Sequence, residues 1–288
     1  MAPTPGGVAE WSCSGLQSRV RRFDSDPRLH PESLAIIDLD VRVDPGDRYP
    51  YVINPRLPTV AAENMFLSDN SIEVVVTRLQ ANAEEVRAAD AVLSDIERKR
   101  AGSFVFDRDR IRFIVARARL RQLLAARLGI RPAEVELTYG ENGKPALSRY
   151  FAGSDLHFNL SHSNDVAAFA FASGRMVGID VEAIRAMEDA EAIAARFFSQ
   201  FENKAYLRLR PADKQLGFFN CWTRKEAFVK GLGAGLSYPL DHFDVSLAPD
   251  EPAAILRVED KSGNECGWRL DAFCPAEGYV AAVVVQDA

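Results

Sequence analysis

The period of hydrophobic and polar positions changes several times along the chain, and each change marks an element. Residues 72–79 (IEVVVTRL) form an apolar, β-branched run and predict a buried strand. Residues 81–94 then have helical composition. Ser94 and Glu97 stand at the spacing of a capping box and open a further short helix. From Asp107 to about Leu128, Ile111, Val115, Ala118 and Leu123 recur at roughly helical spacing, with Arg108, Arg112 and Arg119 on another face. Residues 135–139 alternate as a strand, and 140–148 (GENGKPALS) predict a turn in which Gly143 and Pro145 bracket Lys144. Residues 158–174 predict an extended segment, a polar corner at Ser161-His162-Ser163, and a strand. Residues 176–184 (MVGIDVEAI) predict another strand, and 186–209 two helices. Residues 216–233 predict a helix stopped by Gly231 and Gly233, after which strands and turns alternate to the end.

Residues 1–71 carry less pattern. Pro45, Gly46, Pro50, Pro55 and Pro58 interrupt any long element, and only residues 34–43 (LAIIDLDVRV) predict a strand. We treat 1–71 as an N-terminal extension. The remainder shows a faint internal repeat at an offset of 114, which pairs Val166-Ala167-Ala168 with Val280-Ala281-Ala282, Phe104 with Phe218, Val115 with Val229 and Arg112 with Glu226. The expected fold class is α+β, built as two similar halves, residues 72–174 and 175–288, with a ligand between them.

Composition narrows the options. The chain has 288 residues, 47% hydrophobic and 26% charged, with a net charge of −6, which argues against a general nucleic-acid binder. The charge is uneven: between Glu97 and Arg131 stand eleven Lys or Arg and three acids, a balance that suits an anionic small ligand. Cys13, Cys221, Cys266 and Cys274 show no metal spacing, and they predict reduced thiols in a cytoplasmic protein. No apolar run approaches the ~20 residues of a membrane span. A monomer with no membrane and no nucleic-acid partner is expected.

The candidate chemistry lies in two stretches. In VGIDVE, Gly178, Asp180 and Glu182 alternate with Val177, Ile179 and Val181. Two carboxylates at this spacing are ~6–7 Å apart at Cα and can reach one cation, and oxygen-only ligands favour a hard ion such as Mg²⁺. The alternative is a polar strand side facing water. In FNCWTRKEAFVKG, Trp222, Glu226 and Lys230 share a helix face, with Lys225 one position off it. A carboxylate between two lysines suits a metal and a pyrophosphate together; the alternative is a set of surface salt bridges. Ser161 and His162 can bond a phosphate, Arg100 and Arg112 can clamp one, and Gly143-Lys144-Pro145 permits close backbone approach; the alternatives are a satisfied loop histidine, solvated helix charges and an ordinary turn.

GKPAL, FNLSHS, VGIDVE and WTRKEAFVKGLGAGLS, in this order, resemble the 4′-phosphopantetheinyl transferases of the larger, surfactin-synthetase-activating type, over residues 72–288. The resemblance implies a pseudo-dimer of two α+β halves with coenzyme A and Mg²⁺ (Mn²⁺ as an alternative) in the cleft. It implies that Asp180, Glu182 and Glu226 bind the metal and that Lys225 and Lys230 contact the pyrophosphate. Ser161 and His162, with Arg100 and Arg112, would lie at the 3′-phosphate, and Gly143, Lys144 and Pro145 beside the adenine. The implied reaction moves phosphopantetheine from coenzyme A to a serine of an apo acyl or peptidyl carrier protein. Glu226, directly or through a water, would be the base, and Lys230 would stabilise the leaving group. A Mg²⁺-dependent phosphodiesterase and a non-catalytic coenzyme A-binding module are the alternatives.

Overall fold

The structure is a computed structural model that describes residues 64–66, 72–140, 144–233, 238–259 and 267–287. Apart from 64–66, the N-terminal extension, with its expected strand at 34–43, lies outside the described residues, as does Gly143. Strand β1 (Asn64–Phe66) pairs antiparallel with β2 (Ile72–Arg78), so the first sheet begins before the expected boundary at residue 72.

Three helices follow β2. Helix α1 (Ala83–Asp90) and helix α2 (Asp95–Ala101) each open on a capping box, Asn82 with Glu85 and Ser94 with Glu97. Helix α3 (Asp107–Leu128) ends where Gly129 adopts a left-handed conformation. The chain continues through β3 (Leu137–Tyr139), β4 (Pro145–Leu147), β5 (Leu156–Ser163) and β6 (Val166–Ser173). Ser161-His162-Ser163 is thus the end of a strand, and the corner falls one step later, at Asn164-Asp165, where Asn164 takes a positive φ. The first sheet has the antiparallel order β1-β2-β6-β5.

The second half repeats this plan. Strand β7 (Val177–Ala183) leads to α4 (Ala190–Phe197), α5 (Gln200–Arg208) and α6 (Pro211–Leu232). Then come β8 (Phe243–Val245), β9 (Ile255–Val258), β10 (Trp268–Phe273) and β11 (Tyr279–Gln286). The sheet order is β10-β11-β7. Proline at the first position starts α6, and Gly233, not Gly231, ends it; Gly231 is inside the helix.

The repeat is real, but the offset of 114 describes it poorly. Strands β2 and β7 are seven residues each and start 105 positions apart; α3 and α6 are 22 residues each and start 104 apart. Only the closing strands approach the expected value, β6 and β11 starting 113 apart. Insertions between the helix and the last strands of the second half explain the drift. The helix offset places Gln122, not Arg112, opposite Glu226, so the pairing of those two was coincidence.

The two sheets pack face to face between the two long helices. Ala168, Ala170 and Ala172 of β6, with Ile72 and Val74, meet Val177, Ile179, Val181, Val283 and Val285. Alanine at alternate positions lets the sheets approach, while Phe169 and Phe171 point the other way into the core under α3. Helix α6 covers the second sheet with Phe218, Trp222 and Phe228 against Ala282 and Val284. At Gly178, a Cβ would lie 2.1 Å from the Ala227 carbonyl oxygen and 2.2 Å from the Gly231 nitrogen, so glycine allows the helix backbone to rest on β7.

Candidate active site between the two halves

Both faces of β7 are covered, and this removes the reading of VGIDVE as a water-facing strand side. Asp180 and Glu182 are completely buried. Residues 217–229 of α6 are buried as well, so Glu226 does not belong to a set of surface salt bridges. A buried carboxylate is costly unless hydrogen bonds or a cation compensate it. Asp180 receives both. Lys230 Nζ lies 2.6 Å from its Oδ1, and the Ser161 hydroxyl donates to the same oxygen at 2.9 Å while accepting from Lys230 at 3.0 Å. Burial raises the Asp180 carboxyl above its ordinary pKa, and Lys230, the Ser161 hydroxyl and the Val181 amide pull it back. Its other oxygen, Oδ2, has no hydrogen-bond partner among the described residues.

A cavity of 170 Å³ takes walls from both halves and reaches Gly231, the residue after Lys230. Lys144, Pro145, Leu147, His157 and Phe158 line it from the first half, and Met176, Val177 and Gly231 from the second. Lys144 crosses the cleft to donate to the Lys230 backbone carbonyl. Burial, and then the charge of Lys230, lower the Lys144 ammonium to about 8.

The structure separates other residues that the sequence suggested would act together. Ser161 and His162 are neighbours on a strand and point to opposite faces. Ser161 is buried in the Asp180 cluster, while His162 is half-buried on the side of Phe158 and Leu160, which face α3. Arg112 spends its guanidinium on Asp165, at 2.7 Å, and on Asp109. Asp165 follows the far end of β5, whereas Leu156, at its near end, lines the cavity; seven strand steps put those ends ~23 Å apart. Arg100 lies over the Phe113 ring, 6.0 Å from its centroid.

Lys225 requires a correction. Its ammonium is fully buried away from the Asp180 cluster, 2.7 Å from Glu202 and bonded to the carbonyls of Leu240 and Phe243. These three partners use all three ammonium protons, which leaves none for a pyrophosphate. The first half has the matching device: Glu97 of the Ser94 capping box meets Arg121 at 2.6 Å, and Arg121 bonds the carbonyls of Pro132 and Val135. Glu202 likewise belongs to a capping box, with Ser199 at the start of α5, so in both halves a capping-box glutamate ties a short helix to the long one and to the turn beyond it. The capping-box pattern of Ser94 and Glu97 was readable in advance; the burial of the charge was not.

Three acids on facing elements, an exclusively oxygen donor set and an unpartnered buried Asp180 Oδ2 fit a hard divalent cation. As the side chains stand, no three carboxylate, imidazole or thiol groups among the described residues are close enough together to hold one, and Lys230 occupies Asp180 Oδ1.

The structure is a duplicated α+β fold with buried acids and lysines where its two halves meet. Residues 176–284 match the family model of the 4′-phosphopantetheinyl transferase superfamily, and residues 78–174 match that of the 4′-phosphopantetheinyl transferase N-terminal region. The 4′-phosphopantetheinyl transferase HetI of Nostoc sp. is 38% identical over 217 residues, covering 75% of this chain and 88% of HetI. A 4′-phosphopantetheinyl transferase of Bacillus subtilis is 33% identical over 182 residues, 63% of this chain and 78% of that one. Sfp of Bacillus subtilis strain 168 is 30% identical over 172 residues, 60% of this chain and 74% of Sfp. The chain belongs to the 4′-phosphopantetheinyl transferase superfamily. Among the described residues no helix is long and apolar enough to cross a membrane.

Proposed function

We propose that this enzyme transfers 4′-phosphopantetheine from coenzyme A to a serine of an apo acyl or peptidyl carrier protein, leaving holo carrier protein and 3′,5′-ADP. The observation that carries the site assignment is the buried Asp180–Ser161–Lys230 cluster, and both halves also wall a cavity that reaches Gly231, next to Lys230 in the chain. The serine oxygen forms a bond to the phosphorus on the pantetheine side. The bond from that phosphorus to the bridging oxygen breaks, and its electron pair leaves with 3′,5′-ADP. Glu226 takes the serine proton. Lys230, released from Asp180, neutralises charge on the departing phosphate. Lys144 and Pro145 hold the nucleotide end in the cavity.

Asp180, Glu182 and Glu226 would hold Mg²⁺, with Mn²⁺ as the alternative. When bound, such an ion supplies positive charge against the pyrophosphate. We assign residues 72–174, with β1 added at the edge of its sheet, and residues 175–288 as the two halves, and expect a cytoplasmic enzyme that acts as a monomer.

Intact-protein mass spectrometry of a panel of apo carrier proteins, each incubated with this protein, coenzyme A and Mg²⁺, tests the proposal. The expected result is a gain of one phosphopantetheine, lost on adding EDTA or on changing the acceptor serine to alanine. Consumption of coenzyme A with every carrier unmodified would overturn it.

A further inference from the structure

Strands β5 and β7 run side by side, yet among the described residues β5 pairs only with β6 and β7 only with β11, and no backbone ladder joins these two strands. Alternate side chains of β5 reach across instead. Asn159 Oδ1 accepts from the Ile179 amide at 2.9 Å, Ser161 meets Asp180, and Ser163 meets Glu182 Oε2 at 2.9 Å. The Ala183 amide also donates to Ser163 Oγ, at 3.1 Å. Ser161 and Ser163 are two residues apart, and so are Asp180 and Glu182, so S-x-S on one strand matches D-x-E on the other.

We infer that Ser163 is a positioning residue for Glu182: a hydroxyl from the first half that fixes an acid of the second half in the orientation needed to bind the metal. The inference rests on the reading of Glu182 as a metal ligand. A hydroxyl has one proton and two lone pairs. The Ala183 amide can only donate, so it takes a lone pair. The single hydroxyl proton is then directed to Glu182 Oε2. Ser163 and Glu182 are both completely buried, so water cannot replace either bond. The Arg185 guanidinium, at 4.0 Å from Oε2, is too distant to hydrogen-bond in its place. Groups that orient a metal ligand in this way commonly govern affinity by about 10- to 100-fold. Ser161 serves Asp180 similarly but is shared with Lys230, so only Ser163 separates orientation from chemistry.

The test is Mn²⁺ uptake by the full chain in the presence of coenzyme A and without carrier protein, read as free Mn²⁺ by electron paramagnetic resonance. Ser163→Ala is expected to weaken Mn²⁺ binding by about 10- to 100-fold, with coenzyme A affinity in EDTA unchanged. Asn159→Ala removes the sister bond to the Ile179 amide without touching a carboxylate. It is expected to lower thermal stability but to leave Mn²⁺ affinity near wild type. Should Ser163→Ala fail to fold, Ser163→Cys keeps the volume with a weaker donor, and weakened uptake is expected there too. Wild-type Mn²⁺ affinity in the folded Ser163 variant would overturn the inference alone, as would an equal loss in Asn159→Ala. Wild-type protein that takes up no Mn²⁺ would overturn the metal-site reading and this inference with it.

Discussion

Lys230 Nζ sits 2.6 Å from Asp180 Oδ1, so the side chain expected to serve the pyrophosphate already neutralises an acid expected to serve the metal. On the proposed reading a metal ion and Lys230 would compete for one oxygen until a phosphate drew the lysine away. Lys230→Met is therefore expected to raise Mn²⁺ affinity in the absence of coenzyme A, and to lower turnover by about 10²- to 10³-fold as one charge stabilising the transition state is lost. Calorimetric titration with metal alone and a single-turnover assay read the two effects. Unchanged metal affinity would show that the contact does not oppose loading.

Lys144 gives the site a pH dependence with a definite sign. Its ammonium is lowered to about 8 by burial and by Lys230. Below that pH the folded chain bears the cost of a buried charge, and the cost is relieved as pH rises from about 8 toward the ordinary lysine value, so this group adds stability across that window. Holding the anionic nucleotide end, the role proposed for Lys144, has the opposite sign, because it draws on the charged form. Coenzyme A affinity should fall as pH rises through 8, and Lys144→Met should bind more weakly but lose that fall. The dissociation constant measured from pH 7 to 9.5 decides; the same slope in both proteins would clear Lys144 of the role.

Gly178→Ala should be severe for a steric reason. The new Cβ meets backbone atoms of Ala227 and Gly231, which cannot swing aside as a side-chain tip can. We expect a loss of about 1–3 kcal/mol in urea unfolding. Activity should fall further than stability at a temperature where the variant is folded, because a shift of α6 carries Lys230 away from Asp180. A fully active Gly178→Ala would show that the helix can lift from β7 without consequence.

Lys225→Met separates two roles by their readouts. If Lys225 neutralises buried Glu202, its removal should cost about 3–5 kcal/mol, and pairing it with Glu202→Gln should recover part of that. If it contacted pyrophosphate instead, stability would stay near wild type while KM for coenzyme A rose.

Much of this molecule was legible in its residues. The Ser94 capping box, the 22-residue helix from Asp107 and the acid strand VGIDVE appear where periodicity placed them. Pairwise use of residues was harder to read. Ser161 and His162 are adjacent in sequence but separated by the strand's alternation, and Lys225 differs from Lys230 only in its angle around the helix. That angle sends one ammonium into a core of carbonyls and the other to Asp180. The internal repeat was visible but misaligned, because the offset is not constant along the chain and the few chance identities fell close to the value of the closing strands alone. His157 and Met176 were missed as cavity residues, since nothing in their own neighbourhoods is unusual; only the meeting of two halves makes them a wall.

The duplication has a consequence for how such a protein can change. The offsets that superpose β2 on β7 and α3 on α6 place Val75, Thr77 and Gln122 where the second half has Asp180, Glu182 and Glu226. In an assembly of two identical chains, every substitution would strike both copies of the seam, and an improvement to one side would be imposed on the other. Joined in one chain, the halves are released from that constraint. One carries the acids and the other supports them, contributing Ser161, Ser163 and Lys144 to a seam it no longer needs to duplicate.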